Sequence, residues 1–477
     1  MKGSQSTRFI EKLYDWIEQS RFLQCIKTGF VRIMPVILIG AFSVVLGSMP
    51  IDAYQNFIAV FCGGFLKDLF SLVQNGTMGL LSVYLTFSIS TSFSRLYISA
   101  KRSNSGPVIT SLICFFMFSG IFTDGLDTAA LGAQGTFTAI VCALGASYLY
   151  YVVEIQLRKK FRTKFRIYTD GADESFNRAV SMTAPTTIVV VIFALINLVL
   201  VKLFNVTGFQ MLFSNIFCQL FANIENPFGS MVLFSFLVNF LWVFGIHGSD
   251  VLEPVSQSLF VAAMEVNQEL IANGQMATEV YTKTFYDSFA LMGGCGNTIS
   301  LLIAVLLFSK RRSNKKLMKY AAVPMLFNVN EILVFGMPVV FNPILAIPYI
   351  LTPIVLILVS SFFVISGIVP IPSQQVIWTT PALLSGYLAT GSIAGSILQV
   401  LNIFIGVLIY KPFVRFYDEE KNRDAKKRID KLIDIMIKSE SDDTPVDLLA
   451  LKNTSGDVAK GIPTHCYVEP YTMTNTF

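Results

Sequence analysis

One long stretch with a single charge constrains the fold more than any other feature of this sequence. Between Lys319 and Lys411 there is no Asp, Lys, Arg or His, and Glu331 is the only Glu. Placing a charge in hydrocarbon costs about 3 kcal/mol on insertion scales. Across the 477 residues, 53% are hydrophobic and only 14% are charged, whereas soluble proteins carry about 25% charged residues. The sequence therefore predicts an all-α polytopic membrane protein.

The basic loops give the orientation of the membrane spans. A spanning helix needs about 20 mostly apolar residues, and the stretches that fit are 30–49, 77–94, 107–122, 135–153, 179–201, 229–246, 287–308, 343–365 and 392–410. Lys and Arg cluster at 95–102, 158–166 and 310–319, and again from Arg415 onward. The positive-inside rule places these loops and both termini in the cytoplasm; binding of anionic lipid is the other interpretation. The amphipathic residues 5–24 predict an interfacial helix or a polar lead-in to the first span.

Counting these crossings reveals one that hydropathy does not show. Span 229–246 returns the chain to the cytoplasm, and span 287–308 must also end there, at its basic cluster. One further crossing is therefore expected within 250–286, where six charged residues exclude a uniform apolar helix. Such a segment has to be broken or partly re-entrant, and covered by protein rather than by lipid. The total is about ten transmembrane helices.

A second interrupted segment, 321–342, begins at a cytoplasmic basic cluster and is expected to form a re-entrant hairpin. Its helix breakers are Pro324, Gly336 and Pro338. Two broken segments with polar residues are typical of a transporter binding site, and both lie in the second half of the chain. We therefore predict a scaffold and dimerisation half at 1–205, a transport half at 206–415 and a cytoplasmic tail at 416–477.

Two ionisable residues stand at these breaks. His247 follows an apolar span and lies between Gly245 and Gly248, where backbone can approach a ligand closely. A helix cap or a core hydrogen bond is the structural alternative for His247, and a structural carboxylate is the alternative for Glu331. No basic residue occurs in the long run around Glu331, and an ionisable residue inside a membrane is by default a functional candidate. Its neighbouring amides are Asn328, Asn330 and Asn342.

The remaining polar and aromatic candidates suit a neutral, hydroxyl-rich ligand. Trp242 and Trp378 could stack on sugar rings or belong to an interfacial belt. The segment GGCGNT (293–298) offers flexible backbone and Asn297, but packing of small residues between helices explains it equally well. A carboxylate, an imidazole and several amides bind hydroxyl groups well. There is no cation cluster for an anionic substrate, and the seven Cys lack metal-type spacing. We expect no metal, no cofactor and, at a net charge of +5, no nucleic acid.

Three segments resemble a known family: FGIHGSDVLEP, NVNEILVFGMPVVFNPILAIPYILTP and WTTPALLSGYLATG. They are similar to the membrane (IIC) component of bacterial phosphoenolpyruvate-dependent sugar phosphotransferase systems, in the lactose/cellobiose/diacetylchitobiose family. The resemblance covers residues 1 to about 415. It implies a homodimer in the bacterial plasma membrane, with ten spans, two re-entrant hairpins and a disaccharide held between His247 and Glu331. Ile332 departs from the family, which often has Pro after the Glu.

The resemblance also implies a mechanism. A phosphocysteine on a cytosolic IIB protein would phosphorylate a sugar hydroxyl that Glu331 hydrogen-bonds and could deprotonate, while His247 orients it or stabilises charge. Because Cys466 lacks a phosphate-cradling loop, we expect no phosphoacceptor domain in this chain, and we expect IIB to dock at 158–166 or 310–319. The substrate-binding set is then His247, Glu331, Asn330, Asn328, Trp242, Trp378, Asn297 and Asn342. A proton-coupled secondary sugar transporter, with a Glu331–His247 relay, is the alternative.

Overall fold

The chain is predominantly helical, with no strand, in the part that its computed structural model describes, namely residues 16–17, 19–49, 51–98, 105–121, 128–160, 173–337 and 339–441. Within these ranges six helical segments are long and apolar enough to cross a membrane, and three shorter apolar helices accompany them. The prediction of an all-α membrane protein is confirmed. The interfacial helix expected at 5–24 lies mostly outside the described residues, as do most of the basic loop 158–166 and the tail beyond Ser441.

The first part of the chain is a bundle of seven helices. These are α1 (Arg21–Gly47), α2 (Asp52–Val60), α3 (Phe65–Thr77), α4 (Leu81–Tyr97), α5 (Ser105–Phe118), α6 (Thr136–Lys160) and α7 (Glu174–Phe204). Helix α4 packs against α1, α5 and α6. A Cβ at Gly29 of α1 would lie 2.5 Å from the Ile89 side chain, so a glycine is needed for the two helices to approach this closely. Small and hydroxylated residues between helices are the usual means of such packing in membranes.

The second part contains shorter helices and more breaks. Its helices are α8 (Phe209–Phe221), α9 (Pro227–Val243), α10 (Ala262–Ala272), α11 (Lys283–Phe289), α12 (Thr298–Phe308), α13 (Arg312–Leu326), α14 (Glu331–Gly336), α15 (Pro343–Ile365), α16 (Leu384–Thr390) and α17 (Ile393–Ser441). The chain divides into two compact units, Met1–Phe413 and Val414–Phe477. Within the first unit, helix α9 packs on α15, and α14 packs on α1 of the seven-helix bundle.

The apolar run 287–308 does not form the single span that its hydropathy predicts. Helix α11 ends at Phe289 and α12 begins at Thr298. The residues between them contain Gly293, Gly294 and Gly296 at φ angles of +78°, +98° and +76°. Glycine adopts this left-handed region without the steric penalty that a Cβ carries. The run is therefore a broken helix. Hydropathy predicts one continuous span, because a hydropathy scale does not report the backbone conformation of glycines.

Both segments that the sequence marks as interrupted contain breaks. After α9 the chain forms short helical turns at Gly248–Val251 and Glu253–Val255, then a π-helical segment, Ser256–Val261, that leads into α10. In the second segment α13 ends at Leu326, and α14 spans only six residues. The buried side chains of Asn330 and Glu331 lie at the second of these breaks.

Candidate functional site

A cavity of about 940 Å³ lies at the meeting point of the broken segments. Its wall is built from α1, from the residues around the α3–α4 junction, from the short helical turns before α6, and from the broken segments of the second part. Six predicted site residues line it: Trp242, His247, Asn328, Asn330, Glu331 and Trp378. Residues far apart in the sequence are thus brought to one chamber with both polar and apolar walls, of a size suited to small-molecule binding.

His247 is positioned by a tight turn at the end of α9. Gly245 has a φ of +78°, and a Cβ there would lie 2.5 Å from the Phe30 ring. The imidazole Nδ1 lies 2.6 Å from Oδ2 of Asp250, one helical turn further on. On its other side the ring packs against buried Trp242, with ring centroids 4.2 Å apart. Asp250 and Trp242 therefore fix the orientation of the imidazole, as a carboxylate partner typically does for a functional histidine.

Glu331 approaches the same histidine from the opposite side of the chamber. It is the first residue of α14 and is 8% exposed, and its Oε1 lies 3.9 Å from Nε2 of His247. Its Oε2 is buried and has no hydrogen-bond partner among the described residues. Helix α14 is anchored on α1, where Phe335 stacks on Phe30 with centroids 4.9 Å apart. A buried carboxylate with an unused acceptor oxygen is suited to receive a hydrogen bond from a ligand hydroxyl.

The two asparagines before Glu331 brace the turn between α13 and α14, which together are called the Glu331 hairpin below. Asn328 Nδ2 donates to the backbone oxygens of Trp378, at 2.5 Å, and Thr380, at 3.1 Å, and its Oδ1 accepts from the Gly293 amide at 2.7 Å. Asn330 Nδ2 donates to the Cys295 carbonyl at 3.0 Å. These amides join the hairpin to the glycine-rich break and to the loop before α16. Both residues line the cavity, and their contacts hold the backbone that presents Glu331.

Trp378 and Trp242 occupy different environments. The Trp378 side chain is 47% exposed, whereas Trp242 is 2% exposed. Stacking on a sugar face therefore suits Trp378, and support of the His247 ring suits Trp242. Asn297 and Asn342 do not line the cavity. Asn297 donates to the Ala290 carbonyl, and Asn342 caps α15 by accepting from the backbone amides of Ile344 and Leu345.

A second charged cluster in the cavity wall was not among the residues that the sequence analysis selected. Lys283 and Asp287 form an ion pair one turn apart on α11, and Gln257 donates a hydrogen bond to the Glu253 carboxylate. All four line the cavity together with Asp250. Their i, i+4 spacing, in and beside the expected hidden crossing, is the signal that could have found them. Among the described residues no group of His, Cys, Asp and Glu could hold a metal ion.

Comparison with known proteins connects this site to one family. The family model described as "Phosphotransferase system, EIIC" matches residues 27–353, a range that includes His247 and Glu331. The lichenan permease IIC component of Bacillus subtilis (strain 168) is 27% identical over 422 residues, covering 85% of this chain and 91% of that protein. The cellobiose-specific EIIC component of Geobacillus stearothermophilus is 29% identical over 440 residues, covering 87% and 95%. The crystal structure of the transporter ChbC, the IIC component from the N,N'-diacetylchitobiose-specific phosphotransferase system, matches with 27% identity and a TM-score of 0.46, covering 88% of this chain and 98% of that one.

Proposed function

Because this chain belongs to the EIIC family of the phosphotransferase system, we propose that it is the sugar permease subunit that carries a disaccharide across the membrane for phosphorylation by a IIB partner. The cellobiose and lichenan permeases that it resembles have names that point to this substrate class. The alternative of a proton-coupled secondary transporter has no support in the family assignment. The chain is then the membrane subunit of a reaction completed with a soluble protein.

The observation that carries this proposal is the meeting of His247 and Glu331 in one cavity. Their side chains approach to 3.9 Å from separate broken segments, and the half-exposed Trp378 lines the same chamber. A carboxylate and an imidazole provide hydrogen bonds to hydroxyl groups, and an indole covers the apolar face of a sugar ring. The polar and the apolar contacts that a disaccharide requires are therefore present together.

The geometry also supports a role for this pair in the transfer step. A sugar hydroxyl oxygen attacks the phosphorus of the IIB phosphocysteine, the S–P bond breaks, and the thiolate remains on IIB. The hydroxyl proton passes to Glu331, whose Oε2 has no hydrogen-bond partner among the described residues. His247, paired with Asp250, orients the hydroxyl and stabilises charge as the phosphoryl group arrives.

We place the protein in the bacterial plasma membrane as a homodimer, with ten crossings and both termini in the cytoplasm. Residues 1–205 would form the dimerisation half, 206–415 the transport half and 416–477 the cytoplasmic tail. Exposed apolar side chains along α7 support a surface that faces lipid or a second subunit, and these include Leu195, Val199 and Leu203.

The IIB partner would dock on the cytoplasmic basic surfaces. Helix α13 begins within the basic cluster 310–319, and Arg312, Lys316 and Lys319 are exposed on it. Cationic surfaces attract anionic partners and raise their association rate. The other candidate docking surface, 158–166, lies almost wholly outside the described residues.

Uptake into membrane vesicles that contain the full chain tests the proposed function. We expect radiolabelled cellobiose to accumulate as its phosphate only when phosphoenolpyruvate and the phosphorylated soluble partners, IIB included, are supplied. Collapse of the proton gradient should leave this uptake unchanged. Accumulation of unmodified sugar that follows the proton gradient would show that the chain is a secondary transporter instead.

A further inference from the structure

The second charged cluster gives the cavity a strongly uneven charge. Four carboxylates line it, those of Asp250, Glu253, Asp287 and Glu331, whereas Lys283 is the one Lys or Arg among the described residues in its wall. The formal charge of the wall is therefore −3 with His247 neutral and −2 with His247 protonated. A neutral sugar carries no charge that would balance this excess.

Lys283 offsets one carboxylate, that of its ion-pair partner Asp287, so the excess rests on Asp250, Glu253 and Glu331. Lys283 Nζ contacts Asp287 one turn along α11, and the Lys283 side chain is 29% exposed. Asp250 and Glu331 both approach His247. Glu253 differs from the other three carboxylates, because it forms no ion pair within the described part of the chain. It accepts a hydrogen bond from neutral Gln257, which holds the carboxylate in place without reducing its charge.

We propose that this carboxylate cluster, with Glu253 as the member that forms no ion pair within the described residues, makes the cavity discriminate between the neutral sugar and its phosphorylated product. The inference rests on the proposed function, and it assigns a role to Glu253, to which neither sugar binding nor phosphoryl transfer has given one. A sugar phosphate carries a charge of about −1.5 to −2 at neutral pH. Its affinity for the wall is lowered by repulsion, whereas the uncharged substrate enters without this penalty.

The size of the effect follows from the position of the charges. Glu253 lies three residues after Asp250, about one helical turn away, and it interacts electrostatically with Lys283, which attracts its charge, and with Asp250 and Asp287, which repel it. Charges that line a partly buried cavity interact more strongly than in water, since the effective dielectric constant is about 20 rather than 80. Glu331 adds its own charge to the wall of the same chamber. The product therefore leaves a chamber in which it is repelled, and cytosolic sugar phosphate does not re-enter it.

Equilibrium binding to the purified full-length protein tests this inference with two probes, cellobiose and cellobiose 6'-phosphate. We expect the wild-type protein to bind the phosphate at least roughly tenfold more weakly than cellobiose, because repulsion at this effective dielectric constant acts on the phosphate alone. The Glu253→Gln substitution removes one charge and keeps the side-chain size, so the ratio of the two dissociation constants should fall roughly threefold to tenfold. The matched control is Glu269→Gln on α10, an exposed carboxylate that does not line the cavity, and it should leave the ratio unchanged.

The possible outcomes distinguish failure of the electrostatic inference from failure of the proposed function. Equal affinity of the wild-type protein for the two probes, or an unchanged ratio in Glu253→Gln, would overturn the electrostatic inference and leave the permease function intact. Failure of the wild-type protein to bind cellobiose, diacetylchitobiose and lactose would overturn the proposed function itself. If Glu253→Gln does not fold, the 6'-carboxylate analogue of cellobiose replaces it as a test. We expect that anion to bind the wild-type protein more weakly than cellobiose, and equal binding would refute the inference.

Discussion

The Glu331 carboxylate has two oxygens in different situations, and its role depends on both. One oxygen lies 3.9 Å from the His247 ring, while the other is buried without a hydrogen-bond partner among the described residues. A carboxylate that served only to stabilise the fold would be expected to have its acceptors satisfied by backbone or side-chain donors. The unused acceptor is what distinguishes Glu331 from the amides of Asn328 and Asn330 beside it, which are bonded to backbone groups.

Substitution of Glu331 by Gln should separate binding from transfer. The amide oxygen can still accept a hydrogen bond, but the side chain can no longer take the hydroxyl proton. Because general-base catalysis contributes about 10²- to 10⁴-fold, we expect phosphorylated product to form at least roughly 100-fold more slowly, with normal expression. Vesicle assays of phosphorylation measure this rate. Glu265→Gln, an exposed change on α10, is the control, and wild-type turnover in Glu331→Gln would show that the carboxylate is not the base.

Trp378 should contribute to affinity through its ring alone. Its backbone oxygen already accepts a hydrogen bond from Asn328, and side-chain substitution leaves that bond in place. An aromatic contact contributes about 0.5–1.5 kcal/mol, so Trp378→Ala should weaken cellobiose binding by up to about tenfold and Trp378→Phe by less. Titration calorimetry measures both. The exposed Trp16 is the matched control, and equal losses in Trp16→Ala and Trp378→Ala would exclude a stacking role.

The sequence singles out the central pair because both residues are conspicuous by their isolation. Glu331 is the one charge in a long apolar run, and His247 is one of two histidines. Asparagines carry no such signal, since the same amide lines a cavity at Asn330 and caps a helix at Asn342. The contact between Lys283 and Asp287 is local, but its place in the cavity wall depends on how several segments pack. Rarity in the sequence identifies residues that are costly to bury, and only packing shows which of them meet.

At the scale of secondary structure, the glycine-rich break between α11 and α12 provides the backbone groups that hydrogen-bond the asparagines of the Glu331 hairpin. Its Gly293 amide donates to Asn328, and its Cys295 carbonyl accepts from Asn330. Hydropathy predicts one span over 287–308, because the apolar residues on either side are continuous in the sequence. The breaks around His247 and Glu331 were predictable, since charges and prolines mark them, whereas the third break is marked only by glycines, which packing of small residues between helices also explains.

A methyl group at Gly294 should disturb the hairpin beyond the ordinary cost of a left-handed residue. A Cβ there would lie 2.7 Å from the side-chain nitrogen Nδ2 of Asn330 and 2.8 Å from the backbone carbonyl oxygen of Asn328. Gly367 also has a positive φ, of +75°, but a Cβ there meets nothing within 4 Å. Both Ala variants lose on the order of 1–2 kcal/mol from backbone strain.

Of the two glycines, only Gly294 has this clash. The effect of Gly294→Ala beyond that of Gly367→Ala therefore measures how strongly the glycine-rich break is coupled to the Glu331 hairpin. We expect Gly294→Ala to lower the unfolding temperature more than Gly367→Ala does, and to weaken cellobiose binding at temperatures where the protein is still folded. Thermal unfolding in detergent, combined with binding titrations, measures both quantities. Equal behaviour of the two variants would mean that the hairpin tolerates displacement at this junction.

At the scale of the whole compact unit, the cavity is not confined to the half that carries the ionisable pair. Ser48, Gln74 and Gln134 contribute to its wall from the first bundle, although that bundle has fewer polar groups inside its spans. The contact of α14 with α1 gives the reason, since Phe335 stacks on Phe30. Helix α1 therefore both contacts the Glu331 hairpin and contributes Ala41 and Val44 to the cavity wall.

The path of the chain through the membrane can be tested at three exposed positions. The count of ten crossings requires the α8–α9 connection and the loop after α10 to face outside, with the start of α13 facing the cytoplasm. Glu225, Asn273 and Ser313 are exposed at these three places. Single Cys variants at these positions, in a background with Cys62, Cys218 and Cys466 replaced by Ser, are treated with a membrane-impermeant maleimide on intact cells.

We expect the labels at Glu225→Cys and Asn273→Cys to appear in intact cells, and the label at Ser313→Cys only after the membrane is permeabilised. Asn273 decides the count, because it follows a segment whose charges hide a crossing from hydropathy. Labelling of Asn273→Cys only after permeabilisation would make residues 248–272 a hairpin that returns to the cytoplasm. Since the start of α13 lies on that same side, α11 and α12 would then also have to enter and return as a hairpin. Both crossings between His247 and Lys310 would be lost, which would exclude the ten-span arrangement.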